Sequence, residues 1–245
     1  MTTDMAGALR ALHVPGSPLV LPNVWDAHSA RAVRDAGFPA VATGSAAVSR
    51  VLGYEDGEQT PAGAMMAAIS RVVAAVDVPV TADVERGYGL KPAELAERLA
   101  ETGAVGCNLE DSDPRTGAMV DPEAQAEFLA EVRAAAPDLV INARVDLYIR
   151  GLDSRTEAVE RGRRYLEAGA DCVYPIGLGD EAGIRALVAE LGAPVNIHFR
   201  PGTPSLGRLA ELGVARVSFG SGLHQAVHAY AQSLFAKVRE GQSPF

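Results

Sequence analysis

Acidic side chains follow two of the short apolar segments in this sequence of 245 residues. Asp83 and Glu85 are two positions apart, so in an extended strand their side chains point the same way, and Glu110 follows the next apolar segment. Carboxylates that converge in a cleft repel one another unless a cation lies between them. Mg²⁺, with Mn²⁺ as a close substitute, prefers such hard oxygen ligands. The spacing therefore predicts a metal site, and the alternative is that these residues are solvated loop acids or helix N-caps.

Arg144 lies near the end of a later apolar segment, 139–146. A guanidinium at a strand end can hold a carboxylate or a phosphate through two parallel hydrogen bonds. An arginine on an otherwise apolar strand is costly unless it is paired. The residue therefore predicts either an anion-binding site or an ion pair with Asp146 or Glu110.

The small residues Gly44, Ser45 and Ala46 follow another apolar segment and could present backbone N–H groups to an anionic oxygen. The segment 52–58 is polar, contains glycines and lacks helical periodicity. It is typical of a loop that could cover a site, although an inert surface loop would have the same composition.

The elements that must position these residues follow a repeating pattern. Short apolar segments rich in β-branched residues alternate with longer segments of helical periodicity, which predicts a parallel α/β sheet covered by helices. Eight such units in 245 residues favour a (β/α)8 TIM barrel over an open doubly wound sheet, and no linker divides residues 1–245, so one domain is expected. The predicted strands are 19–24, 40–44, 78–84, 105–110, 139–146, 172–177, 194–199 and 215–220.

Barrels of this kind carry their chemistry at the carboxyl ends of the strands, so Asn196 and His198 on the seventh strand are also expected to face the cleft. Arg161, Arg163 and Arg164 lie in a helical pattern and are expected to form a solvated face. The sequence has no GxGxxG after the first strand, no GxxxxGK[ST], no CxxC and no GxSxG. The usual sequence arguments for dinucleotide, nucleotide, zinc or serine-hydrolase chemistry therefore do not apply.

The net charge of −9, from 22 basic and 31 acidic residues, argues against nucleic-acid or membrane binding and requires a local positive site for any small anionic ligand. Cys107 and Cys172 lie in apolar segments, which favours buried thiols in a reducing compartment. The first sixteen residues lack the pattern of a signal peptide, and no apolar stretch is long enough for a membrane helix. We therefore expect a cytoplasmic protein.

Six segments, in this order along the chain, resemble the isocitrate lyase/phosphoenolpyruvate mutase superfamily. They are W-D-A-H-S-A-R-A (25–32), T-G-S-A-A-V-S-R-V-L-G-Y-E-D (43–56), A-D-V-E-R-G-Y-G (82–89), N-L-E-D-S (108–112), N-A-R-V-D (142–146) and V-S-F-G (217–220). The resemblance implies a (β/α)8 barrel whose last helix is exchanged between the subunits of a homodimer, commonly assembled into a homotetramer. It also implies Mg²⁺ and a small 2-oxo or 2-hydroxy acid whose C–C or C–P bond reacts through an enolate-like species.

Carried over by position, the resemblance implies that Asp83 is the main metal ligand. Glu85 and Glu110 would hold the ion directly or through its waters. Glu85 stands where the family usually has aspartate, which lengthens the carboxylate by one methylene and keeps its charge. A water-mediated contact with the metal is compatible with this change.

The resemblance also assigns the substrate side of the site. Arg144 would bind the substrate carboxylate, and the backbone around Ser45 and Ala46 would take the oxo-acid oxygens. Asp56 matches the acid on the family's gating loop.

The segment after the fourth strand departs from the family pattern. Lyases that cleave isocitrate or methylisocitrate carry Lys-Lys-Cys there, and the mutases carry a lysine, whereas 110–117 contains neither lysine nor cysteine and only Arg115 is nearby. Tyr174 and His198 remain as candidates for proton transfer, and either could instead be structural. We therefore predict a Mg²⁺-dependent lyase or decarboxylase of the oxaloacetate type. The alternatives are a phosphonopyruvate or phosphoenolpyruvate C–P enzyme and a non-catalytic oxo-acid-binding barrel.

Overall fold

The computed structural model describes residues 4–245. Within that range all eight predicted strands are confirmed, and the first is divided because Pro22, which has no backbone N–H, interrupts its ladder. The strand segments are β1 (Leu19–Leu21), β2 (Asn23–Val24), β3 (Val41–Thr43), β4 (Val80–Asp83), β5 (Gly106–Leu109), β6 (Val140–Val145), β7 (Cys172–Pro175), β8 (Asn196–His198) and β9 (Arg216–Ser218).

Helices follow the strands, and their starts are set by local capping. Asp26 and Ser29 form a reciprocal capping box at the start of α2, and Asp121 caps α6, whose first residue is Pro122. None of the helices in residues 4–245 is long and apolar enough to cross a membrane. The helices are α1 (Met5–Ala11), α2 (Ala27–Asp35), α3 (Ser45–Leu52), α4 (Ala62–Val73), α5 (Pro92–Thr102), α6 (Pro122–Ala135), α7 (Arg155–Glu167), α8 (Glu181–Leu191), α9 (Leu206–Glu211) and α10 (Gly222–Arg239), with a 3₁₀ turn at Leu147–Arg150.

The strands close into a parallel barrel. Strands β2 to β7 pair in chain order, and β1 pairs with β9, which in turn pairs with β8. A parallel bridge between Val173 and Val195 joins β7 to the segment that enters β8. The first strand contributes β1 to one part of the sheet and β2 to the other, so the ring is complete and the predicted (β/α)8 fold is confirmed.

The amino-terminal end of the barrel is filled by an apolar plug. Leu9 of α1 is fully buried and packs in one cluster with Leu19, Leu21, Ala42 and Val140. A Cβ added to Gly106 would come within 2.8 Å of the Leu9 side chain, so the helix approaches the strands closely. Because this end is closed, a ligand can enter only from the carboxyl ends of the strands.

A polar layer lies above the plug, in the middle of the barrel. Arg216 of β9 is fully buried, and its Nη2 donates to Oδ1 of Asn108 on β5 across the interior (3.3 Å). Asn142 donates to the same oxygen from β6 (2.7 Å). Nε and Nη1 of Arg216 have no partner among the described residues, and burial lowers the pKa of this guanidinium. This layer separates the plug from the charged groups at the strand ends.

Candidate active site

Asp83 ends β4, and its two carboxylate oxygens have different surroundings. Oδ2 accepts hydrogen bonds from the backbone N–H and the hydroxyl of Ser45 (3.0 and 2.8 Å). Oδ1 is buried and has no hydrogen-bond partner in the described part of the chain. The backbone N–H of Asp83 donates to the Thr43 hydroxyl, which fixes this strand end against β3 (3.0 Å). One carboxylate oxygen is therefore held in place while the other remains available to a ligand.

Glu85 is 2% exposed and its carboxylate is bonded on both oxygens. Oε2 accepts from the backbone N–H groups of Gly57 and Glu58 (2.9 and 2.7 Å), and Oε1 accepts from the Tyr88 hydroxyl (2.9 Å). Burial, and after it the negative charge of Asp56, raises the pKa of Glu85 to about 7. This carboxylate therefore joins the strand end to the loop before α4.

Arg144 lies between two buried carboxylates. Its Nη1 forms an ion pair with Glu110, while Nε and Nη2 contact the two oxygens of Asp146 (2.5 and 2.9 Å). Both ion pairs named as alternatives from the sequence are thus present together. Burial disfavours the Asp146 anion, but the guanidinium and its hydrogen bonds lower the pKa of Asp146. Burial raises the pKa of Glu110 well above its usual range in spite of Arg144, because one cation serves two carboxylates.

Two side chains of α7, Arg161 and Tyr165, contact Asp111, which in turn holds the Asp146 backbone. Asp111 is fully buried, and its oxygens accept from the Asp146 backbone N–H (2.8 Å), the Tyr165 hydroxyl (2.8 Å) and Nη1 of Arg161 (3.3 Å). The prediction of a solvated face was wrong for Arg161, which is 4% exposed because it turns inward to pair with Asp111. Burial, and after it the Asp146 charge, raises the pKa of Asp111 to about 6.

The amino-terminal end of α3 faces the same cleft. Gly44 is its N-cap in extended conformation, and Ser45 N–H is bonded to Asp83. The N–H of Ala46 lies in the first turn, where an α-helix has no acceptor of its own. Positive dipole potential at this end favours an anionic oxygen. Of the three small residues, Ala46 therefore has the backbone N–H best placed for substrate, whereas Ser45 holds Asp83.

Tyr174 and His198 occupy the ends of β7 and β8. Tyr174 is the strand partner of Arg144, and burial raises the pKa of its hydroxyl to about 12 against the opposing effect of Ser218. Burial lowers the pKa of His198, which favours the neutral imidazole. Asn196 lies deeper than His198, and its amide exchanges two hydrogen bonds with the Ser218 hydroxyl (3.1 and 3.2 Å). Tyr174 therefore lies beside Arg144 in the barrel interior at the level of Asn196, and His198 lies further toward the carboxyl end of β8.

Two loops border the cleft. The loop before α4 carries Asp56, whose pKa is raised by partial desolvation and then by the Asp83 charge. The loop after β5 is a tight turn in which Asp113 N–H donates to the Ala118 carbonyl and Gly117 N–H donates to the Asp113 carbonyl, both at 2.8 Å. The Arg115 side chain is 85% exposed, so this residue does not take the place of the missing lysine or cysteine in the cleft.

In the described part of the chain, no three His, Cys, Asp or Glu side chains are arranged to hold a metal ion as they stand. Of the three predicted ligands, Asp83 alone has a fully buried carboxylate oxygen without a partner among the described residues. Both oxygens of Glu85 are engaged by the loop and Tyr88, and one oxygen of Glu110 is engaged by Arg144. The donor chemistry nevertheless fits a hard divalent cation. Crowded, buried negative charge raises the pKa values of Glu85 and Glu110, and a cation would relieve that crowding.

Sequence reasoning missed several contributors. Tyr88 lies in the segment 82–89 but received no role from the sequence, although a tyrosine between two glycines three positions after Glu85 is a usable signal. Asp111 and Tyr165 had no such signal. They meet across 54 positions of sequence, and only the three-dimensional fold brings them together.

The fold and this cluster define an α/β barrel with a paired arginine and several buried carboxylates at the carboxyl ends of its strands. The chain belongs to the family described as phosphoenolpyruvate phosphomutase, whose family model matches residues 9–239. The superfamily resemblance noted from the motifs is thereby confirmed.

Individual relatives cover most of the chain. An uncharacterised protein of Mycobacterium tuberculosis is 37% identical over 89% of this chain and 85% of its own length. An oxaloacetate decarboxylase of Rhodopseudomonas palustris is 30% identical over 98% of this chain and 87% of its own. The crystal structure of a Burkholderia cenocepacia protein is 43% identical, with a TM-score of 0.89, covering 96% of this chain and 100% of that one. A phosphonopyruvate hydrolase solved with oxalate and Mg²⁺ shares the fold at 24% identity and a TM-score of 0.86, covering 97% and 88% of the two chains.

Proposed function

We propose that this protein is a Mg²⁺-dependent lyase that breaks a C–C bond in a small 2-oxo or 2-hydroxy dicarboxylic acid, with decarboxylation of oxaloacetate as the leading case. One observation carries the proposal. The free oxygen of Asp83 and the guanidinium of Arg144 lie at strand ends of one cleft, so a cation held by Asp83 would adjoin an anion held by Arg144. The decarboxylase relative, which aligns over nearly the whole chain, supports the substrate class.

The acidic residues would hold the ion. Asp83 would bind it through Oδ1. Glu85, both of whose oxygens are engaged, would act through its waters, and Glu110, which gives one oxygen to Arg144, would act directly or through a water. Mn²⁺ would be accepted by the same oxygens. A bound Mg²⁺ supplies Lewis-acid stabilisation of the negative charge that develops on an enolate oxygen.

The substrate would be held from two sides. Arg144 offers its remaining N–H hydrogens to a carboxylate, and Ala46 N–H at the start of α3 offers a donor to an oxo-acid oxygen. Asp56 would complete the cleft from the loop before α4. This loop, which is hydrogen-bonded to Glu85, would keep water from the reacting carbon.

Tyr174 is our candidate for the proton donor. When the bond between C3 and C4 of oxaloacetate breaks, its electron pair passes to the enolate of pyruvate and C4 leaves as CO₂. A proton must then be added to C3. The Tyr174 hydroxyl, whose pKa burial raises to about 12, carries a proton at neutral pH and lies on the strand next to Arg144, so it would supply that proton.

The compact loop after β5 argues against the C–P alternative, because it contains no lysine of the kind that the mutases carry at this place. Arg115, its nearest cation, points to solvent beside Asp113. A barrel that binds oxo-acids without turnover would retain Arg144 and Asp83 as well, so it is separated from the lyase only by experiment.

The test is turnover of oxaloacetate and of other four- to six-carbon 2-oxo and 2-hydroxy acids with and without Mg²⁺, following pyruvate release. We expect metal-dependent turnover that is lost in Asp83→Asn and retained in Glu94→Gln, which changes a surface acid paired with Arg98. Absence of metal-dependent turnover with every acid contradicts the proposal. Loss of the phosphonate signal in ³¹P NMR would assign C–P chemistry, and tight oxo-acid binding without product would assign a binding protein.

We further propose that the protein is a homodimer or homotetramer built through α10. Most of the surface of this 18-residue helix is exposed in the single chain. Among its described residues, only His224 is buried. Several large apolar side chains of α10 remain exposed: Leu223, Val227, Tyr230, Phe235 and Val238. An apolar face of this extent on one helix is typical of a subunit interface, in keeping with the exchanged helix that the resemblance implies.

A further inference from the structure

The backbone of residues 4–245 has three non-glycine residues with positive φ, and all three lie beside the cleft. They are Glu58 (φ 58°), Glu85 (φ 50°) and Tyr88 (φ 57°). L-residues adopt this left-handed conformation at a cost, so it persists only where surrounding contacts enforce it. Such residues cluster at sites where the backbone must hold a particular geometry.

The three residues are connected to one another by hydrogen bonds. Glu85 Oε2 accepts from the N–H groups of Gly57 and Glu58 (2.9 and 2.7 Å), and its Oε1 accepts from the Tyr88 hydroxyl (2.9 Å). Glu58 returns the contact, since its Oε1 accepts from the Tyr88 N–H (2.6 Å). We call Glu58, Glu85 and Tyr88 the loop latch. It joins the loop before α4 to the end of β4 through side chains on both partners.

We propose that Glu85 is a positioning residue, whose main task is to hold the Asp56 loop closed over the cleft through the loop latch. Asp56 directly precedes Gly57, so fixing Gly57 N–H fixes the Asp56 backbone. The opposite side of the loop is also confined, because a Cβ on Gly57 (φ 89°) would lie 3.2 Å from the Pro114 carbonyl oxygen. The loop is thus held between Glu85 and the loop after β5.

The length of Glu85 is part of the device. Aspartate at this position would withdraw the carboxylate by roughly one C–C bond, about 1.5 Å, which exceeds the tolerance of hydrogen bonds at 2.7 and 2.9 Å. Glutamate in place of the family's usual aspartate is therefore explained by the loop that it must reach. The effect on turnover rests on the proposed function, whereas the effect on the loop does not.

The test is hydrogen exchange at single-residue resolution in the full chain without substrate. We expect the Gly57 and Glu58 amides to be protected, and Glu85→Asp to speed their exchange at least tenfold. Tyr88→Phe, which leaves every carboxylate in place, should speed it by a smaller factor. Glu55→Gln changes an acid of the same loop outside the latch and should leave exchange unchanged. Unchanged protection of β6 amides shows that each variant is folded.

Exchange at Gly57 and Glu58 that stays at the wild-type rate in both folded latch variants overturns the proposal. Mn²⁺ affinity, measured by electron paramagnetic resonance, provides a second reading that does not need turnover. We expect Tyr88→Phe to keep that affinity and to lower kcat/KM for the accepted acid about tenfold. An unchanged kcat/KM in a variant with a released loop overturns the positioning role. Protected amides in a protein that turns over no acid contradict the proposed function and leave the latch standing.

Discussion

Asp146 holds Arg144 with both of its carboxylate oxygens, at 2.5 Å from Nε and 2.9 Å from Nη2. The aspartate is fully buried and receives a further hydrogen bond from the Ser112 hydroxyl. Arg144 and Asp146 are two residues apart at the end of β6. The Arg144 side chain cannot rotate without losing both contacts with Asp146. The substrate carboxylate would therefore meet a guanidinium already fixed in direction.

We expect Asp146→Asn to weaken both folding and substrate use. The NH₂ group of the new asparagine would face an N–H group of Arg144, and Arg144 would lose one of its buried negative partners. We expect this to lower the free energy of unfolding by about 3 kcal/mol. A displaced Arg144 should lower kcat/KM on the order of 100-fold. Urea unfolding and steady-state kinetics measure the two effects. Asp35→Asn, which opens the surface pair with Arg34, is the control, and an equal loss in both variants would contradict the prediction.

Tyr174→Phe should lower kcat by a factor of roughly 10² to 10⁴, the usual contribution of general acid catalysis, while Mn²⁺ affinity stays the same. The substitution removes the hydroxyl and keeps the buried aromatic ring of this β7 residue. His198→Asn is the matched comparison, because His198 is the other candidate for proton transfer and burial lowers the pKa of its imidazole. A larger loss in the histidine variant than in the tyrosine variant would assign the proton to His198 instead.

We expect His13 to make the free energy of unfolding depend on pH. It is 7% exposed, Nδ1 donates to the Leu9 carbonyl (2.9 Å), and Nε2 has no partner among the described residues. Burial, and after it the Arg216 charge, lowers the pKa of His13 to about 4. The unfolded chain takes up this proton below about pH 6.5 and the folded chain does not, so stability falls as pH drops from 6.5 to 4.

The loss assigned to His13 at pH 4.5, relative to pH 7.5, is about 2 to 3 kcal/mol. Urea unfolding at the two pH values, in the wild type and in His13→Gln, measures it as the difference between their pH dependences. Glutamine has no proton to gain in this range and can still donate to the Leu9 carbonyl. Equal pH dependence in the two proteins would show that other groups control the acid sensitivity.

The exposed face of α10 predicts the effect of charge on assembly. Tyr230→Glu combined with Phe235→Glu places two carboxylates at positions that are 67% and 68% exposed in the single chain. If this face is the subunit interface, the variant should elute as a monomer in size-exclusion chromatography with light scattering, with an unchanged circular dichroism spectrum. Val14→Glu, an isolated exposed apolar position at the other end of the barrel, is the control. An unaltered oligomer would rule out α10 as the interface.

The barrel could be predicted from the sequence because its signals are local. Each strand is a short β-branched segment, and helix boundaries carry their own caps, such as Asp121 before Pro122. The candidate residues could likewise be placed at strand ends, because their position in the pattern is enough to do so. The absence of a loop cysteine and lysine was also readable directly.

The partners of the charged groups could not be predicted in the same way. Glu85 is bonded by a loop almost thirty positions earlier, and Arg161 reaches Asp111 across fifty positions. A charged side chain on a helix pattern has the same appearance in sequence whether it meets solvent or a buried carboxylate. Which of these occurs is decided by the packing of separate βα units, so Glu85 was predicted as a metal ligand and its contacts with the loop were not foreseen.

Closure of the barrel by β1 and β9 has a consequence for synthesis. The Phe219 N–H donates to the Asn23 side chain (2.7 Å) across a separation of 196 residues, so the first strand meets its neighbour only after these residues have been made. At ordinary translation rates that interval is about 10 to 40 s. Throughout it the nascent chain carries an open sheet edge and a half-built acidic cleft without its closing wall. The cleft therefore gains its last wall only once β9 has been made and has paired with β1.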